Sequence, residues 1–226
     1  MNNKIEVRKM IATTSLLAIA IVFDLLVGLT GLRMPFGGNF LGISMIPLVL
    51  IGLFFGLKYG LIAGFLYALY NFGVDYIVYL DALRLTLESW TGESWSAFKI
   101  VLLIGFDYII PFMAFGLSGL FSDAFQKQSK FVLSFIVVSI IRLISSTISG
   151  VIFWGSSIQY AVDQVNAGLE EANLATKIFA FVGNDLWLYS LGYNFIYIFT
   201  TFVASILIGL VTYKRMKMLK EDYFSV

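Results

Sequence analysis

The chain contains no cysteine and no histidine, and only 3 of its 226 residues are proline. Without cysteine there is no disulfide, no thiolate metal ligand and no thiol nucleophile. Without histidine, imidazole metal sites and a Ser-His-Asp triad are excluded as well. Charge is also scarce: 13% of the residues are Asp, Glu, Lys or Arg, against roughly 25% in an ordinary soluble domain. The 15 basic and 14 acidic residues nearly cancel, to +1, which gives no case for a nucleic-acid partner. No Gly-x-x-x-x-Gly-Lys-Ser/Thr loop is present, so any ATP hydrolysis linked to this chain sits on other chains. No cofactor is implied.

What is abundant is apolar. Hydrophobic residues make up 59% of the chain, including 22 Phe, 12 Tyr and 4 Trp, and the mean hydropathy is +0.89. A soluble domain of this length has no interior large enough to hide that surface, so the bilayer is part of its solvent. A transmembrane helix needs about 20 mostly apolar residues. Six such stretches stand near 10–30, 40–57, 59–79, 100–121, 131–154 and 187–213. The first is too long in its apolar run for a signal peptide and has no small-residue cleavage site. The predicted fold class is an all-α integral membrane protein of six transmembrane helices. It is a single domain over residues 1–226, placed in the cell membrane as a multi-pass protein.

Cytoplasmic segments collect Lys and Arg. With both ends inside, the inner segments hold ten: Lys4, Arg8, Lys9, Lys58, Lys127, Lys130, Lys214, Arg215, Lys217 and Lys220. The outer segments hold four, Arg33, Arg84, Lys99 and Lys177, together with the acids Asp75, Asp81, Glu88, Glu93, Asp163, Glu170, Glu171 and Asp185. This alternation predicts N-in/C-in. Two long outer loops are expected, near 80–99 with Trp90 and Trp95, and near 155–186 with a helix-friendly stretch from Val162 to Phe181. They read either as caps over a site or as solvated connectors. No internal repeat stands out, so an inverted-repeat transporter architecture is not supported.

Ionisable groups inside a span are costly and usually face a cavity or a partner. Asp24, Asp107 and Arg142 qualify. Asp24 lies near the outer end of its span and is given no role. Positions 142, 146, 150 and 154 fall on one helix face, presenting Arg142, Ser146, Gly150 and Trp154. Such a stripe suits a small, partly charged, aromatic ligand. The competing structural readings are that Asp107 pairs with Arg142, that the span-five hydroxyls assist packing and that Trp154 is an interfacial anchor. Span six opens with Tyr189 and Asn194, about 140° apart around a helix. An amide offers both a donor and an acceptor to a heteroaromatic edge, although a Tyr and an Asn at a helix start also serve as anchor and cap.

Together these segments resemble the thiamine-specific substrate-binding subunits (S components) of energy-coupling factor transporters. The residues that carry the resemblance are Val7-Arg8 before span one, Ile46-Pro47-Leu48-Val49-Leu50 with Gly56, Gly60 and Gly64, and Asp107-Tyr108 with Gly119-Leu120-Phe121. The most specific pair is Arg142…Gly150-Val151-Ile152-Phe153-Trp154 with Tyr189-Ser190-Leu191…Asn194. The resemblance implies a six-helix subunit that binds its vitamin from outside and docks on a transmembrane coupling subunit and two ATPase subunits. It implies that Asp107 and Asn194 hydrogen-bond an aminopyrimidine, that Trp154 stacks on a ligand ring, and that Tyr108, Arg142 and Tyr189 add polar contacts. A small-x-x-x-small pattern for docking corresponds to Thr14 and Ala18, with Ala12 and Ser15 nearby. Three positions depart from the family: Asp107 stands for glutamate, Arg142 for lysine and Ser146 for histidine. The lost ring at Ser146 points to an altered ligand, such as a pyrimidine precursor or another vitamin.

The expected function is therefore binding and translocation of thiamine or a thiamine-related pyrimidine, with no catalysis. The alternative is an S component for another vitamin such as riboflavin. A membrane-embedded enzyme, such as a hydrolase or lipid transferase, has an Asp and several Ser available but no His, Cys or paired-acid motif. A purely structural subunit leaves the ionisable groups in the spans without a use.

Overall fold

The computed structural model describes residues 2–31, 34–35, 38–75, 80–92, 94–121 and 123–223. Arg33 and Glu93, counted above among the outer charges, lie outside the described residues, as do the side chains of Asp75, Asp81 and Trp90. The described residues form helices in the order α1 (Asn2–Leu29), α2 (Met45–Phe55), α3 (Leu57–Asp75), α4 (Leu80–Thr91) and α5 (Ala97–Ile104). α5 runs on through a π-helical turn (Gly105–Ile109), α6 (Ile110–Met113) and a 3-10 segment (Ala114–Leu120). Then come α7 (Gln128–Asn166), α8 (Leu174–Phe181) and α9 (Leu186–Tyr223), with no β-strand among the described residues.

Four helical runs are long and apolar enough to cross a bilayer: Lys4–Leu29, Ala97–Leu120, Gln128–Asn166 and Leu186–Asp222. The hydrocarbon core is about 30 Å thick, and at 1.5 Å per residue α7 and α9 are nearly twice that length. α2, at 11 residues, is shorter than the core is thick. Every residue from Met45 to Leu53 in it is buried, so it forms the centre of the bundle. Around it gather Tyr67, Phe115, Phe125, Phe131, Phe135 and Val138.

Lipid tails are as apolar as leucine, so membrane helices hold together by close packing and hydrogen bonds. Here a glycine seam does this. Gly60 on α3 lies against Gly116 of the 3-10 segment, and Gly64 faces the Phe112 carbonyl. Ser118 Oγ, set beside Gly52, donates to the Val49 carbonyl at 2.8 Å. α2 passes into α3 at Gly56, whose φ of 86° lies in the region that favours glycine. At the far end of α9, Lys220 Nζ donates to the Leu53 carbonyl at 2.7 Å and sits 5.2 Å from the centroid of the Phe125 ring. The last turn of α2 is thereby tied to α9.

The two long outer connections expected near 80–99 and 155–186 are in large part helical, which corrects that expectation. α4 fills most of the first. In the second, α7 continues to Asn166, because no Gly or Pro follows Gly155 until Gly168, where φ is 71°. The helix-friendly stretch from Val162 to Phe181 is split there. α8 restarts at Asn173, whose Oδ1 accepts from the Ala175 and Thr176 backbone amides.

α4 is stapled against α7 at Phe153. Trp95 is fully buried with Leu83, Leu87, Leu103 and Phe153. Its backbone N–H donates to Glu88 Oε1 at 3.0 Å, its Nε1 donates to Thr91 Oγ1 at 3.1 Å, and Lys99 Nζ lies 4.4 Å from its ring centroid. The Trp95 N–H and the Arg84 guanidinium hold the Glu88 carboxyl below the usual glutamate range. A depressed pKa in the folded state means stabilisation that is present above the ordinary glutamate value and lost as pH falls through the lower folded value. Backbone amide exchange in α4 is expected to quicken as pH falls through that window, after correction for intrinsic exchange. Glu88→Gln should flatten the dependence, and an unchanged profile in that variant would place the sensitivity elsewhere.

Candidate ligand-binding site

Proline at 111 has no N–H to continue an i to i−4 ladder, and its ring crowds the carbonyl of the preceding turn. The helix answers with a π-helical turn over Gly105–Ile109, in which Ile110 N–H reaches back to the Gly105 carbonyl. π-turns of this kind are frequent at functional sites. Asp107 lies on it.

Across from it, Trp154 on α7 donates its Nε1–H to Asp107 Oδ2 at 2.8 Å. Ser149, one and a half turns earlier, stands beside the same carboxylate. Ser145 Oγ donates to the Phe106 carbonyl at 2.8 Å, fixing the π-turn against α7. The third wall is α9. Asn194 Nδ2 donates to the Ser190 carbonyl at 2.8 Å and to the Ser146 carbonyl at 3.2 Å. Ser190 Oγ donates to the Thr147 carbonyl at 2.8 Å. Gly150 lies where a Cβ would run into Ser190 Oγ and come 3.5 Å from Asn194 Nδ2. The position that reads as a gap in the sequence thus seats α9 against α7.

Arg142 does not pair with Asp107: no ion pair joins them among the described residues. Its guanidinium carbon lies 4.7 Å from the Phe115 ring centroid, a cation–π contact. Tyr67, Tyr197 and Asp24 are within electrostatic reach of it. Arg142 Nε is buried without an acceptor. Asp24, given no role in the sequence reading, accepts from Asn39 Nδ2 at 3.1 Å and so faces the interior of the bundle.

Two sequence-predicted residues face elsewhere. The Tyr108 ring packs edge-on to Phe72 at 5.5 Å and beside Phe112. Tyr189 is buried under α8, edge-on to Phe179 at 5.4 Å, in a cluster with Met34 and Ile158. Five residues of separation from Asn194 on a regular helix account for that divergence. Thr14 and Ala18 lie on the exposed side of α1 with Met10, Ile11, Val22 and Leu25.

Tyr197 was missed. Its hydroxyl donates to Asn194 Oδ1 at 2.7 Å, and its ring lies against Gly38. It sits within reach of Arg142, Ser146 and Asp107 together. One turn of helix separates it from Asn194, and that spacing was the available signal. The segment before α2 is fastened over this end of α9: Thr200 Oγ1 donates to the Phe40 carbonyl and the Gly42 N–H donates to Thr201 Oγ1. Among the described residues no cluster of acidic, His or Cys side chains has metal-binding geometry.

Membrane-length apolar helices around a small, hydrogen-bonded polar centre define a multi-pass membrane transport protein. A family model described as thiamine transporter protein matches residues 10–169, which is most of the chain. The chain belongs to that family of transporters, and the family is not one of enzymes. The thiamine transporter ThiT of Bacillus subtilis (strain 168) is 29% identical over 223 residues, covering 98% of this chain and 99% of that protein.

Proposed function

We propose that the chain is the thiamine-binding membrane subunit of an energy-coupling factor importer. In this reading it crosses the membrane six times with both ends in the cytoplasm and takes up thiamine, or a thiamine-related pyrimidine, from outside. A transmembrane coupling subunit and two ATPase subunits then drive translocation in the plasma membrane. The observation that carries the reading is that Asp107, Trp154, Arg142 and Asn194, from three helical segments, border one polar centre, with Tyr197 within reach of both Arg142 and Asp107. Family membership and the near full-length match to ThiT support the ligand. The ten-to-four distribution of Lys and Arg supports the orientation.

Asp107 and Asn194 would hydrogen-bond the pyrimidine, and Trp154 would offer its face to the cationic thiazolium. Ser146 and Gly150 would shape the floor, and Tyr108 and Tyr189 would act from behind it. Thr14 and Ala18, on the exposed side of α1, would admit a closely packed helix of the coupling subunit.

A thiamine titration of the purified protein tests this. Saturable quenching of Trp fluorescence is expected, together with calorimetric binding, and Trp154→Phe should remove most of the quenching. No quenching and no heat with any thiamine-related compound would sink the assignment.

A further inference from the structure

A primary amide has two N–H donors and one oxygen with two lone pairs. Both hydrogens of Asn194 are committed, since its Nδ2 stands 2.8 Å from the Ser190 carbonyl, 3.2 Å from the Ser146 carbonyl and 3.3 Å from Ser190 Oγ. Carbonyls only accept, so the amide has one orientation. Its Oδ1 receives the Tyr197 hydroxyl at 2.7 Å, which leaves a single lone pair for anything else. The Tyr197 oxygen, having given its proton to Asn194, can itself only accept. Asp107 accepts the Trp154 N–H, with Ser149 beside it. Among the buried donors without a partner are Arg142 Nε and Ser149 Oγ.

We propose that Tyr197 is a ligand-recognition residue of this site, and that Tyr197, Asn194 and Asp107 form an acceptor-only wall. This inference rests on the functional reading above and narrows its ligand class. The wall takes a heteroaromatic ring that presents N–H donors, an amino group beside a ring nitrogen able to carry a proton. Arg142 takes an acceptor elsewhere on the same ligand. A ligand with a carbonyl in place of the amino group sets lone pair against lone pair and leaves buried acceptors unpaired, the situation in which polar sites discriminate most strongly.

The test is calorimetry on the full chain with thiamine and with its analogue carrying an oxo group in place of the pyrimidine amino group. The wild type should favour the amino form by about 10-fold or more. Tyr197→Phe should weaken thiamine by roughly 10-fold and leave the oxo analogue within about 3-fold, so that the preference collapses. Parallel weakening of both ligands would mean that Tyr197 only packs, and would overturn the proposal. Equal wild-type affinity for the two ligands would overturn it without any variant, which decides the matter should Tyr197→Phe fail to fold. A wild type that binds thiamine not at all would overturn the functional reading, and this inference with it.

Discussion

Asp107→Asn is expected to weaken thiamine binding by roughly 10- to 100-fold, since a hydrogen bond to a charged group contributes about 1.5–3 kcal/mol and each 1.4 kcal/mol is a factor of ten. The substitution keeps the volume and one oxygen. That oxygen still receives the Trp154 N–H. The new amide nitrogen then faces a ligand edge that is itself made of donors, so one attraction becomes a repulsion. Titration calorimetry at constant pH reads the change directly. Wild-type affinity in this variant would remove Asp107 from the ligand site. Asp107→Ala should cost folding stability as well, because it leaves the Trp154 indole N–H without its acceptor.

Gly116→Ala should have the largest effect on the fold. A Cβ there would run into the backbone of Gly60 and Leu61 on α3. Overpacking typically costs about 1–3 kcal/mol where side chains can move aside. Backbone has no rotamer to change, so α3 and the 3-10 segment must separate along the whole seam. The expected outcome is a fall of the melting midpoint in detergent on the order of 10 °C, or loss of a monodisperse peak. Gly150→Ala is the informative contrast. There the clash is with Ser190 Oγ, a side chain that can rotate at the cost of its bond to the Thr147 carbonyl. A Gly116→Ala protein that melts like the wild type would refute the close approach of these two elements.

How much of this was legible beforehand depends on where the information lies. Asp107 and Arg142 stand out because charge in an apolar run is costly. Trp154 shared a helix face with Arg142, yet in the folded chain its indole reaches across to Asp107 and not along its own stripe. That contact depends on the π-turn, and Pro111 was its visible trace. Gly150 stood in the stripe that suits a ligand, whereas its neighbour is Ser190. A glycine in sequence does not distinguish space from proximity. Tyr197 stands one turn from Asn194, but tyrosine is common in these spans, and that spacing alone does not single out the hydroxyl that meets Asn194. Helix α4 was hidden for a related reason: it is short and amphipathic and carries none of the long apolar runs by which the spans are found, whereas α8 falls inside the helix-friendly stretch from Val162 to Phe181.

The tie between Lys220 and the last turn of α2 has a mechanical consequence. α9 is helical from Leu186 to Tyr223, so Lys220 and Asn194 are two points on one rod, about 39 Å apart at 1.5 Å per residue. A tilt of one degree about the Lys220 anchor swings Asn194 through about 0.7 Å, more than the whole spread of ordinary N–H···O lengths. Asn194 is thus the tip of a pointer pivoted at the opposite end of the bundle, and its bond to the Ser146 carbonyl on α7 registers the angle of the shaft.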